Sequence, residues 1–172
     1  VGVWDHDEAR GRKFAANFDV PYISTQNELL DLCDAVVLTS ENVRHKDLVM
    51  EALRQGKHVL CEKPLATSVA DAEAMVSLAR EKGLCLMTAF PCPYSPNWAK
   101  ALDRVEKGEI GSVQAVCATN QGSCPHDWFV DVNESGGGAI MDHVVHVADL
   151  LHRLFGAAPA QVQAQKGHQM YE

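Results

Sequence analysis

The stretch His58-Val59-Leu60-Cys61-Glu62-Lys63-Pro64-Leu65 constrains the fold more than any other part of the chain. Val59 to Cys61 reads as a buried strand, and Pro64 ends it because proline has no N–H to give to a ladder. Glu62 and Lys63 are thereby left at the carboxyl edge of a sheet, where open α/β folds hold their ligands. A lysine placed there can donate a charged hydrogen bond to a hydroxyl or carbonyl oxygen. It can equally be a solvated residue that happens to follow a strand.

Strand-like and helix-like segments alternate on both sides of this run. Val1 to Asp5 reads as a short strand, and Ala9, Phe14, Ala15 and Phe18 recur at helical spacing over residues 7–18. Residues 20–23 suggest another short strand. Thr25 and Glu28 form a capping-box pattern opening a brief helix through Leu32. Ala35 to Thr39 is a strand, and a helix over 45–55 follows, with Leu48, Val49, Ala52 and Leu53 inward and Gly56 as its stop. Ser68 caps a helix over 69–82, and a strand over 84–89 follows. Strands joined by helices of this length imply βαβ crossovers and a parallel sheet.

The prolines of the 90–96 segment suit a crossing between two domains, divided as 1–92 and 93–172. Ser95 then caps a helix carrying Trp98, Leu102 and Val105. A strand is expected over 112–119, and a loop over 122–135 carries His126 and Trp128. A helix opened by Gly136-Gly137-Gly138 is expected to run to about Phe155. Another strand-like segment begins at Val162. Val1 stands inside a strand-like run, so the expectation is a fragment whose first strand and glycine-rich turn lie upstream.

Composition narrows the partners. Over 172 residues the formal charge is −8, with no basic run, which disfavours nucleic acid and anionic membrane surfaces. No apolar stretch approaches the ~20 residues of a membrane span. The six cysteines include no CxxC pair, and Cys61, Cys85 and Cys117 sit in apolar runs. Buried free thiols in a reducing, cytoplasmic compartment are expected.

Three groups of residues can carry chemistry. Asp5, at a strand end, can bind ribose hydroxyls and repel a 2′-phosphate, or it can cap the next helix, as Asp7 also can. The Thr39–His45 loop suits cofactor binding and ordinary turn chemistry equally. Asp142, His146, Asp149 and Arg153 share one helical face. The face reads as a solvated stripe, except that Asp142 and His146 follow three glycines, which allow close approach of a ligand. A carboxylate one turn from an imidazole can orient it and favour its protonated form, a general-base arrangement. His143, His146 and Asp142, with His126 and Cys124, also invite a metal reading. Residues 143 and 146 point about 60° apart on an α-helix, and no metal is expected.

Taken together, Gly56-Lys57-His58-Val59-Leu60-Cys61-Glu62-Lys63-Pro64-Leu65 and Gly136-Gly137-Gly138-Ala139-Ile140-Met141-Asp142 with His146 resemble the Gfo/Idh/MocA oxidoreductases. The resemblance implies a Rossmann-type doubly wound parallel sheet, followed by the start of an α+β substrate and oligomerisation domain. It implies NAD as cofactor, with NADP less favoured, and oxidation of a secondary hydroxyl on a sugar, cyclitol or related polyol. By the same resemblance Lys63 would be the catalytic lysine, His146 the acid/base and Asp142 its substrate-positioning partner. Asp5, Thr39, Asn42, His45, Glu62 and Lys63 would lie along the cofactor. Lys63, Trp128, Asp142 and His143 are the expected substrate contacts, and a homo-oligomer is expected at full length. Phe90-Pro91-Cys92-Pro93-Tyr94 departs from the aromatic–arginine stretch of many relatives. A non-catalytic nucleotide-binding sensor or scaffold of the same fold, or an inactive truncated product, is the alternative.

Overall fold

The structure is a computed structural model and describes residues 1–123, 126–165 and 167. Cys124, one of the ligands weighed for a metal, lies outside the described residues. The chain opens with α1 (Glu8–Phe18), where the Asp7 side chain accepts from the Arg10 N–H. That leaves Asp5 free of the capping role. In α2 (Gln26–Asp31) both halves of the Thr25–Glu28 capping box form. The strands expected over 1–5 and 20–23 shrink to one parallel bridge between Val3 and Tyr22.

The sheet consists of β1 (Ala35–Leu38), β2 (His58–Glu62) and β3 (Leu86–Ala89), parallel and in chain order. Its crossovers are α3 (His45–Arg54) and α4 (Val69–Lys82), which pack against each other and so cover one face. Gly83 ends α4 in a left-handed conformation, as a residue without a Cβ readily does. Register places Val36 beside Val59 and Val59 beside Leu86, while Val37, Leu60 and Met87 occupy the alternate row. Val36 and Val59 are buried against Val49, Leu53, Met75 and Ala79. Val49, Leu53 and Met75 are fully enclosed, and burying each such side chain stabilises by about 1.5–3 kcal/mol. Val37, on the other row, is exposed.

After β3 the chain turns through Cys92–Tyr94 into α5 (Pro96–Glu106), whose Ser95 cap accepts from Trp98 N–H. The strand expected over 112–119 is irregular chain, with no strand among the described residues supplying a ladder for it. Residues 162–165 likewise carry no ladder. The short α6 (Val132–Ser135) leads into the glycine turn. The single helix expected from there to Phe155 is broken into a π-helical turn, Ile140–Val144, and α7 (Val145–Phe155). Cys61 is fully buried and its thiol is pushed up to about 12 by that burial and by the Glu62 charge. Cys85 and Cys117, also expected inside, are exposed: the first lies ahead of β3 and the second in unpaired, irregular chain. No helix among the described residues is long and apolar enough to cross a membrane.

Candidate active site

Two sets of groups meet at the carboxyl end of the sheet. The first surrounds Lys63, which follows β2 directly. Its ammonium donates to the Asp142 carboxylate Oδ1 and, at 3.1 Å, to the Asp142 carbonyl. Both side chains are about one-fifth exposed, so the pair is partly shielded yet open to a ligand. The other Asp142 oxygen lies 3.5 Å from His143 Nε2. Gly122 allows the His143 ring to come close, since a Cβ there would stand 3.0 Å from its Cε1.

His146 takes different partners from those its spacing suggested. Asp142 makes no hydrogen bond or ion pair with it; the π-turn has rotated the carboxylate toward Lys63 and His143. Cys92 Sγ instead lies 4.0 Å from His146 Nδ1, and the Phe90 ring meets the imidazole edge-on at 6.1 Å. Burial, and then the positive charge of Lys63, hold the imidazole below its ordinary value, outweighing the opposing pull of Asp142. The neutral, proton-accepting form is therefore favoured, the reverse of the direction expected from the Asp142 carboxylate. Cys92 and Phe90 escaped sequence reading because nothing in their spacing relates them to residue 146.

The second set lies in a cleft of about 590 Å³ that runs between residues 1–6 and the whole of β1, from Ala35 to Leu38. Phe14, Leu29 and Leu30 are among its apolar lining, and Asp5, Arg10, Thr39, Ser40, Glu41 and Trp128 supply polar and aromatic side chains. Arg10 grips Asp5 through Nε at 2.7 Å and Nη2 at 2.9 Å, and touches Glu41 at 3.2 Å. Burial alone would raise the Asp5 carboxyl, but hydrogen bonds from Arg10 and from the Asp7 N–H hold it below the usual range. Trp128, expected at the substrate, lies on this cleft and stacks on Phe129 at 3.7 Å.

Three residues expected along the cofactor make contacts within the protein. His45 is fully buried, with Nδ1 2.8 Å from the Pro64 carbonyl and Nε2 3.1 Å from the Ser40 carbonyl. Asn42, also buried, donates its amide to the Ser135 carbonyl at 2.8 Å. The Glu62 carboxylate folds back to accept the Lys63 N–H at 3.1 Å.

Residues 1–90 match the family model described as "Oxidoreductase family, NAD-binding Rossmann fold", and residues 98–172 match "GFO/IDH/MocA C-terminal domain". The chain belongs to the GFO/IDH/MocA oxidoreductase family. Among its family relatives, 1,5-anhydro-D-fructose reductase of Ensifer adhaerens is 37% identical over 76% of the chain and 40% of that protein. The scyllo-inositol 2-dehydrogenase (NADP(+)) of Bacillus subtilis is 32% identical over 95% of the chain and 52% of that protein. A levoglucosan dehydrogenase solved with NADH and levoglucosan superposes with a TM-score of 0.76 at 26% identity, covering 88% of the chain and 43% of that one. The chain thus spans about half or less of the length of these relatives. The family's Rossmann fold accords with the parallel sheet.

Proposed function

We propose that the protein is an NAD(P)-dependent oxidoreductase acting on a secondary hydroxyl of a sugar, cyclitol or related polyol. The observation that carries this reading is the Lys63–Asp142 pair beside His146, where burial and then the lysine charge favour the neutral imidazole. Residues 79 positions apart are brought together to give a cation, a carboxylate and a base within one cluster.

The donor set of the cleft fits a dinucleotide: a carboxylate for ribose hydroxyls at Asp5, with the hydroxyl side chains of Thr39 and Ser40 at the end of β1. The bound nicotinamide supplies the hydride acceptor. His146 accepts the hydroxyl proton, and Lys63 stabilises charge developing on the same oxygen. Asp142 and His143 hold neighbouring hydroxyls of the substrate. Trp128, backed by the Phe129 ring, offers a flat apolar surface at the cleft, suited to a ring. Residues 1–92 form the cofactor unit in this reading and 93–172 the substrate unit. The names of the relatives support the substrate class, since they act on anhydro sugars and inositols.

The test is turnover of the full-length protein with NAD and NADP against a panel of inositols, anhydro sugars and aldoses, followed by nicotinamide absorbance. Secondary-alcohol oxidation is expected, with His146→Asn lowering kcat by about 10²–10⁴. Full activity in both Lys63→Met and His146→Asn would overturn the assignment.

A further inference from the structure

One short segment touches both halves of the candidate site from behind. The 3-10 turn Asn42–Arg44 and the first residue of α3 lie beneath it. From this segment His45 reaches the carbonyl of Pro64, the residue after Lys63, at 2.8 Å. From the same segment Asn42 donates to the carbonyl of Ser135, the residue before the glycine turn, at 2.8 Å. Asn42, His45 and Ser135 are all buried, so these bonds are shielded from exchange with water.

The glycine turn is seated on the other side as well. Gly136 has φ +73°, and a Cβ there would stand 2.3 Å from Thr67 Cγ2. Ser135 Oγ closes the turn by donating to the Gly137 carbonyl at 2.8 Å. Asp142 follows on the π-turn, whose first backbone bonds, from Met141 and Asp142 N–H, return to the Gly138 carbonyl. The location of the Asp142 carboxylate is therefore inherited from the seat of Ser135 and Gly136, and that of Lys63 from the seat of Pro64.

We infer that Asn42 is a positioning residue whose amide bond to the Ser135 carbonyl sets the approach of Asp142 to Lys63. An asparagine in a cofactor-edge loop is thereby assigned to joining the two halves of the site. The consequence for catalysis rests on the oxidoreductase reading above; the contact itself does not.

The experiment is competitive acetylation of the full-length protein with acetic anhydride, comparing Lys63 with Lys46 by mass spectrometry. Lys46, paired with Asp71 at 2.6 Å, is the internal control. An ammonium held on a carboxylate is a poor nucleophile, so loss of its partner raises its labelling. Asn42→Ala is expected to raise the Lys63/Lys46 ratio about fivefold, approaching Asp142→Asn, the change a modest loss of local order produces. Asn42→Asp should do the same, because a carboxylate cannot donate to Ser135. Asn42→Ser, which is too short to bridge, serves if alanine prevents folding. Titration of these variants with NADH separates the positioning role from a direct cofactor contact. An unchanged Lys63 ratio in the Asn42 variants, with a raised one in Asp142→Asn, overturns the inference. So does an unchanged ratio in Asp142→Asn, which would mean that the pair is not formed in solution. Weakened NADH binding with an unchanged ratio would make Asn42 a cofactor contact instead. Failure to bind NADH at all would count against the oxidoreductase reading and leave the ratio as the measure of the inference.

Discussion

The protonation of His146 follows from its neighbours. Burial and Lys63 lower the imidazole from its ordinary value of 6.5, and Asp142 opposes them. NMR titration of His146 should give a midpoint below 6.5, rising in Lys63→Met and falling further in Asp142→Asn. The stability consequence has a definite sign: with a folded value below the unfolded one, the unfolded chain binds more protons. Stability is thus retained above about pH 6.5 and declines as pH falls toward the folded value. The cofactor edge obeys a similar argument. Asp5 is not a free negative charge, because Arg10 holds both of its oxygens. Asp5→Ser should release Arg10 toward a 2′-phosphate and shift the NADPH/NADH affinity ratio by about fivefold, the scale of one exposed charge contact. An unchanged ratio would mean that neither residue meets the ribose. An acid at a strand end was visible in the sequence at Asp5, whereas its capture by Arg10 depended on where α1 begins.

Caps and faces were legible element by element, since they depend on residues three or four apart. Thr25 and Glu28 form both arms of their box, and Ser68 and Ser95 each accept from their helices. Thr25→Ala should cost about 1 kcal/mol in urea unfolding. Leu53 on α3 is fully enclosed, and Leu53→Ala should cost about 2–5 kcal/mol, depending on how far Met75 and Val59 close in. The turn at Ile140–Val144 was not legible. Four residues on an α-helix would put Asp142 and His146 about 40° apart, one above the other. The wider π-turn breaks that stacking, sending the carboxylate to Lys63 and leaving the ring to Phe90 and Cys92. Such insertions gather at functional sites, where a local irregularity re-aims a side chain.

Across the whole molecule, enclosed apolar side chains are confined to residues 15–79, and Ser135 alone is buried beyond them among the described residues. Hydrogen exchange should accordingly show the strongest protection in β1, β2, α3 and α4, with α5 and α7 opening at lower free energy. Equal protection in α7 and β2 would contradict this reading of the burial. The same distribution marks the boundary between local and long-range information. The parallel order of β1, β2 and β3, the caps, and the strand end that presents Lys63 follow from the apolar periods, Gly56, Gly83 and Pro64, which act within a few residues. Strand pairing at 112–119 could not be read that way, because an extended segment becomes a strand only where a neighbour offers its N–H and C=O groups. Nor could the partners of Asn42 and His45 be read from their loop. Their partners, Ser135 and Pro64, lie 93 and 19 residues away, and only the folded chain brings those carbonyls within hydrogen-bonding distance.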